Sequence, residues 1–139
     1  MSKFGCRCGH VIVDQTDFLP YKAEVLSDQD SERVWDDASA AVAAFCALRT
    51  AEERRRWIAA HFDEHYPLDL PDASVIHDII TAGMLRHGRT LYECEACGRL
   101  WLQLRPDENR WVSYAPEEPQ ATGVLRSAAE PGAAADPAT

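Results

Sequence analysis

The chain has 139 residues, 46% of them hydrophobic, and its 23 Asp and Glu outweigh 14 Lys and Arg to leave a formal net charge of −9. That length suits one domain able to bury a core without metal. The acidic balance disfavours nucleic acid as a partner, because phosphate contacts dominate such affinity. No stretch reaches the roughly 20 apolar residues of a membrane helix, and Met1-Ser2-Lys3-Phe4-Gly5 lacks the apolar run of a secretory signal. We expect no membrane association and a soluble, cytoplasmic protein, in whose reducing surroundings paired cysteines serve more often as metal ligands than as disulfides.

In chain order, Cys6-Arg7-Cys8-Gly9 comes first, and the β-branched run His10-Val11-Ile12-Val13 then reads as a strand leaving the cysteines. A turn-rich link, Asp14 to Pro20, leads to a second strand over Tyr21 to Leu26. From Ser27 the periodicity becomes helical. Asp28 or Asp30 is placed to cap the start, and Val34, Ala38, Ala41, Val42, Phe45 and Leu48 mark one apolar face. Cys46, beside that face, reads as a buried small hydrophobe.

Thr50-Ala51-Glu52-Glu53 matches a capping box, so a second helix is expected through Trp57, Ile58 and Phe62 as far as the approach to Pro67. A third starts from Asp72 as N-cap, turns Val75, Ile76, Ile79, Ile80, Gly83 and Met84 inward, and stops at Gly88. The β pattern returns in Thr90-Leu91-Tyr92-Glu93, before Cys94-Glu95-Ala96-Cys97-Gly98, and again in Arg99 to Leu104. The turn Pro106-Asp107-Glu108-Asn109 and the run Trp111 to Tyr114 complete a hairpin.

The expected fold is therefore α+β: a small antiparallel sheet of four or five strands with a split four-cysteine site and a three-helix insert covering one side. A single domain is expected over 1–116. Residues 117–139, rich in Ala and Pro with few large apolar side chains, are expected to be a disordered tail.

The two cysteine pairs are separated by 85 residues that contain only Cys46. Close thiol pairs brought together by a fold are what a tetrahedral Zn²⁺ site requires, so Cys6, Cys8, Cys94 and Cys97 are the candidate metal ligands. His10 follows the first pair closely enough to stand in for one thiolate. The second pair, with Gly98, resembles the C-x-x-C-G turn of zinc ribbons and rubredoxin-like knuckles, in which amides after the first Cys donate to its sulfur. Cys6-Arg7-Cys8-Gly9 is one residue shorter than that turn. The resemblance covers about ten residues at each end and implies a structural zinc. More distantly, Cys-x-Cys-Gly with Asp14-Gln15-Thr16-Asp17 and Leu19-Pro20-Tyr21-Lys22-Ala23 looks like small uncharacterised bacterial proteins, which implies no activity. Iron is the other metal that four sulfurs accept.

Other constellations are weaker. His61-Phe62-Asp63-Glu64-His65 fits H-x-x-E-H, which on a helix sets two imidazoles one turn apart for Zn²⁺ with Glu64 as general base. The alternative is a helix end whose histidines complement its dipole. Arg54-Arg55-Arg56 is the only basic run and reads as solvated helix surface, because consecutive helical residues fan around the axis. Asp14, Asp17, Asp28 and Asp30 are read as turn and capping residues. Trp101 and Trp111 are expected to face each other across the last hairpin, with Trp35 and Trp57 at or beside helix core faces and packed in the core. No nucleophile elbow, P-loop or dinucleotide fingerprint is present. A tetrathiolate offers a substrate no open position. The expected function is thus a non-catalytic zinc-binding protein acting through a protein partner, as an adaptor, inhibitor or immunity-like protein. The alternatives are an H-x-x-E-H hydrolase and a nucleic-acid-binding zinc ribbon.

Overall fold

A computed structural model describes residues 2–118 and 121–128 of the chain. Its elements are β1 (Ser2–Gly5), β2 (Val11–Asp14), β3 (Lys22–Val25), α1 (Asp28–Cys46), α2 (Ala51–His61), α3 (Asp72–His87), β4 (Arg89–Glu93), β5 (Leu100–Gln103) and β6 (Trp111–Tyr114). The fold is α+β, with three helices and two small antiparallel sheets. Within the single domain expected over 1–116, two compact units are distinguished. One is built from the described residues up to Val25 together with the described residues from Arg89 onward, the other from Leu26–Gly88.

The first unit holds all the strands. In place of the single expected sheet, β1 and β2 form one pair and β3-β4-β5-β6 form another sheet in that order. β1 was not expected: Ser2-Lys3-Phe4-Gly5 has one residue of high strand propensity, and its extended state comes from pairing with β2, from Ser2 opposite Asp14 to Gly5 opposite Val11. In the larger sheet Lys22 lies opposite Tyr92 and Val25 opposite Arg89.

Asp14 stitches the two sheets together. Its carboxylate accepts from Lys22 Nζ at 2.8 Å and from the Tyr92 hydroxyl at 2.5 Å, and the Tyr21 hydroxyl donates to the Val13 carbonyl at 2.6 Å. Burial pushes the Asp14 carboxyl up, but the hydrogen bonds from Lys22 and Tyr92 and the Lys22 charge outweigh it and leave the pKa below the usual carboxylate range.

Trp101 and Trp111 do not face each other. Trp101 lies opposite Ser113 and Trp111 opposite Gln103, because the register of β5 and β6 offsets them. Phe4 joins them instead, with ring centroids 4.7 Å from Trp101 and 5.1 Å from Trp111. That cluster, with Ile12, Tyr92, Cys6 and Cys94, is the core of the strand unit, so the cysteines are packed among aromatic rings.

The second unit has its own core of Phe45, Ile58, Val75 and Ile79. α1 and α3 come close at Gly83, where an added Cβ would stand 2.4 Å from Val34 Cγ1. Ser27, not Asp28 or Asp30, caps α1 by accepting from the Asp30 amide, while Asp28 and Asp30 lie in the first turn. The capping box on α2 forms as expected between Thr50 and Glu53. Pro71, not Asp72, occupies the N-cap of α3 and has no polar side-chain atom to cap with; Asp72 is the first helical residue and pairs with Arg54 at 2.7 Å. Gly88 ends α3, donating its amide to the Met84 carbonyl.

Two core assignments on α1 need correction. Cys46 is exposed, and Trp35 is 48% exposed, since each follows a buried residue and is rotated about 100° away from it. On α3, Ile80 is likewise 43% exposed.

Part of the expected tail, residues 119–120 and 129–139, lies outside the described residues. Residues 121–128 are described, and the amides of Gly123 and Leu125 donate to the Glu93 carboxylate.

Candidate metal centre

Each cysteine pair occupies the loop of a hairpin. The first joins β1 to β2, with the Cys6 amide donating to the His10 carbonyl at 2.8 Å; the second joins β4 to β5, with the Cys94 amide donating to the Arg99 carbonyl at 2.9 Å. Although the first loop is shorter, both close in the same way. The Gly9 amide returns to the Cys6 carbonyl at 3.0 Å and the Gly98 amide to the Cys94 carbonyl at 2.8 Å. Their φ angles of 93° and 69° require the left-handed region that glycine enters without penalty. The glycine after each pair is therefore a backbone requirement of the loop.

The four Sγ atoms lie within 4.8 Å of one another. Cross-loop separations are 3.7 Å for Cys6 and Cys97 and 3.6 Å for Cys8 and Cys94. Bonds of about 2.3 Å to a tetrahedral Zn²⁺ place sulfurs roughly 3.8 Å apart, whereas a disulfide needs about 2.05 Å. The separations thus fit four sulfurs around an ion, and the cluster is a site able to hold a metal. His10 is not part of the group.

The surroundings are asymmetric. Cys94 is fully buried, Cys6 buried, Cys97 half-buried and Cys8 exposed. Burial pushes the Cys94 thiol up to about 12, against the amides of Ala96 and Cys97 that point at its sulfur, and burial also raises Cys97. At Cys6 burial is outweighed by the Cys8 amide, then by the Trp101 indole and the Cys94 and Cys8 thiols, which bring the pKa down to about 6. The Trp101 indole nitrogen is buried close to this cluster and has no hydrogen-bond partner among the described residues. Arg7 lies over the Trp101 ring, 6.0 Å from its centroid. An open groove of about 420 Å³ beside Cys8 and Cys97 is lined by Arg7, Arg99 and Pro116.

A match to the family described as Domain of unknown function (DUF8617) spans residues 2–118 and so takes in both hairpin loops. The chain belongs to that family. No curated protein and no solved structure matches it. The DUF8617 description names no activity, and the ribbon-like character of the second loop remains a local likeness.

The other candidates in this DUF8617 chain come apart. α2 ends at His61, and Phe62 is extended at φ −105° and ψ 176°, so His65 is not one helical turn from His61 on a common face. His61 stacks on Trp57 at 4.3 Å, while His65 is exposed beside Glu64. Among the described residues, only the four cysteines form a group of three or more such ligand atoms. The H-x-x-E-H match is thus a helix terminus followed by a turn.

Arg54 to Arg56 are engaged locally. Arg54 donates to the Leu68 and Leu70 carbonyls and to Asp72, Arg55 pairs with Asp69, and Arg56 faces Glu52 at 3.4 Å. Arg54 therefore ties the α2–α3 connection down, a role its run of like neighbours did not signal. Also unforeseen were the Trp101 indole and the 1% exposed Glu93, which sequence spacing alone does not distinguish from ordinary strand residues. No helix among the described residues is long and apolar enough to cross a membrane.

Proposed function

We infer that this is a cytoplasmic zinc protein whose tetrathiolate site is structural and which acts through contact with another protein, as an adaptor, inhibitor or immunity-like partner. The observation that carries the metal reading is the set of four sulfurs within 4.8 Å, contributed by two loops 85 residues apart in the chain. Zinc is the ion of this reading because it asks only for tetrahedral geometry and is the usual occupant of closed structural four-sulfur sites, which accept iron as well. With all four positions filled by thiolate, the ion has no site for substrate or activated water.

Contact with a protein is supported by the acidic net charge and by large apolar side chains left in solvent on the helical unit, Trp35 at 48% and Leu85 at 83% exposure. A basic protein surface is the complementary partner.

Metal analysis of the purified chain tests the first half. One zinc per chain is expected, lost in Cys94→Ala or Cys97→Ala and kept in His61→Ala; a zinc retained without Cys94 would sink the reading. The second half is tested by isolating the tagged chain from its native cells. A protein whose retention drops with Trp35→Ser or Leu85→Ser supports it, and recovery of nucleic acid with no protein counts against it.

A further inference from the structure

Glu93 is the residue immediately before Cys94, and its carboxylate is 1% exposed. Two backbone amides from beyond the last strand satisfy it: Gly123 donates to Oε1, and Leu125 donates to Oε2 at 3.2 Å. The same segment rests on the second cysteine loop. At Gly98 an added Cβ would lie 2.1 Å from the Ala121 carbonyl oxygen and 3.3 Å from Pro116 Cγ, so the chain passes closer to the loop than any other residue type permits. The segment turns at Gly123, whose φ is 79°. Glu93, Tyr21, Thr122 and Arg126 enclose a residual cavity of only about 30 Å³.

We propose that residues 121–126 form a detachable strap, anchored on Glu93 and lying across Gly98, that slows exchange at the Cys94–Cys97 side of the thiol cluster. The proposal rests on the metal reading for its consequence but not for its geometry. A buried carboxylate must keep its hydrogen-bond donors, and here both named donors come from the strap. Lifting the strap strips Glu93 of both donors, so the carboxylate holds the strap down, and weakening Glu93 releases it. With the strap in place Cys8 is the sulfur most open to an incoming ligand. Once it lifts, the second loop is opened as well, and a competing chelator or thiol gains a second approach. A segment placed this way can be displaced by whatever binds the chain nearby, coupling partner binding to metal retention.

The test compares the full chain with Glu93→Gln, which keeps the shape but turns one acceptor into a donor, and with a chain ending at Glu118. Amide hydrogen exchange at Gly123 and Leu125 should quicken by about tenfold or more in Glu93→Gln. Zinc-loaded protein challenged with excess EDTA should release metal several-fold faster in both variants, with one zinc per chain at the outset. Should no zinc bind in any form, labelling of metal-free protein with Ellman's reagent reads the strap directly: Cys94 and Cys97 should react faster in both variants, with Cys8 unchanged. Wild-type release and labelling rates in the truncated chain would overturn the proposal. So would unchanged exchange at Gly123 in Glu93→Gln.

Discussion

Cys8 Sγ stands 3.6 Å from Cys94 Sγ, although 85 residues separate the two in the chain. Such proximity without a covalent bond fits sulfurs grouped around an ion, and on the zinc reading proposed above the metal contributes about 10–16 kcal/mol, as structural zinc does in isolated peptides. Removing the metal should therefore loosen the strand unit first. Circular dichroism during chelation is expected to keep most of its helical signal, because Phe45, Ile58, Val75 and Ile79 form a core with no cysteine in it. Complete loss of helix on chelation would contradict this.

The helical core predicts a complementary result. Ile58 is fully buried, and Ile58→Ala should destabilise that unit by about 2–5 kcal/mol through lost burial and a residual cavity. Zinc content measured on the purified variant should stay at the wild-type level.

Thr50 offers a smaller, local measurement. Its hydroxyl accepts from the Glu53 amide at 3.2 Å, and Thr50→Ala should cost about 1 kcal/mol. Thr50→Ser, which keeps the acceptor, should recover most of it in denaturant titration.

Asp14 gives the pH dependence a sign. Its folded pKa lies below the unfolded value, so its stabilisation is fully present above the unfolded pKa of about 3.9 and is lost as pH falls through the folded one. The difference in stability between wild type and Asp14→Asn should be constant above about pH 5 and shrink below it. A difference that grows on acidification would refute the assignment.

Gly9 and Gly98 separate backbone strain from crowding. Both have positive φ, so alanine costs about 1–2 kcal/mol at either, but nothing lies within 4 Å of a Cβ at Gly9. Thermal denaturation should find Gly98→Ala the more damaging of the two. Equal effects would mean that Ala121 yields freely.

The cysteine site was legible because its chemistry is written in short spacings, and the α2 capping box because it needs only Thr50 and Glu53. What escaped was set by pairing across the fold. Ser2-Lys3-Phe4-Gly5 becomes a strand only opposite β2, and the register of β5 and β6 decides that Trp101 meets Phe4 and not Trp111. Along α1, Val34, Ala38 and Phe45 are buried while Cys46 and Trp35 are exposed, a distinction of one residue in rotation that an apolar count does not resolve. His61 to His65 looked like a helical motif until the extended backbone of Phe62 interrupted it.

The pairing of Val25 with Arg89 has one more implication. Everything from Leu26 to Gly88 leaves and re-enters through two residues that are already neighbours across an antiparallel ladder, so in topological terms the three helices are the loop of an enlarged hairpin. Because the entropy of closing a loop rises only slowly with its length, evolution or a designer can lengthen, shorten or exchange this cassette at small thermodynamic cost. The ladder that pairs Val25 with Arg89 fixes where such a cassette begins and ends.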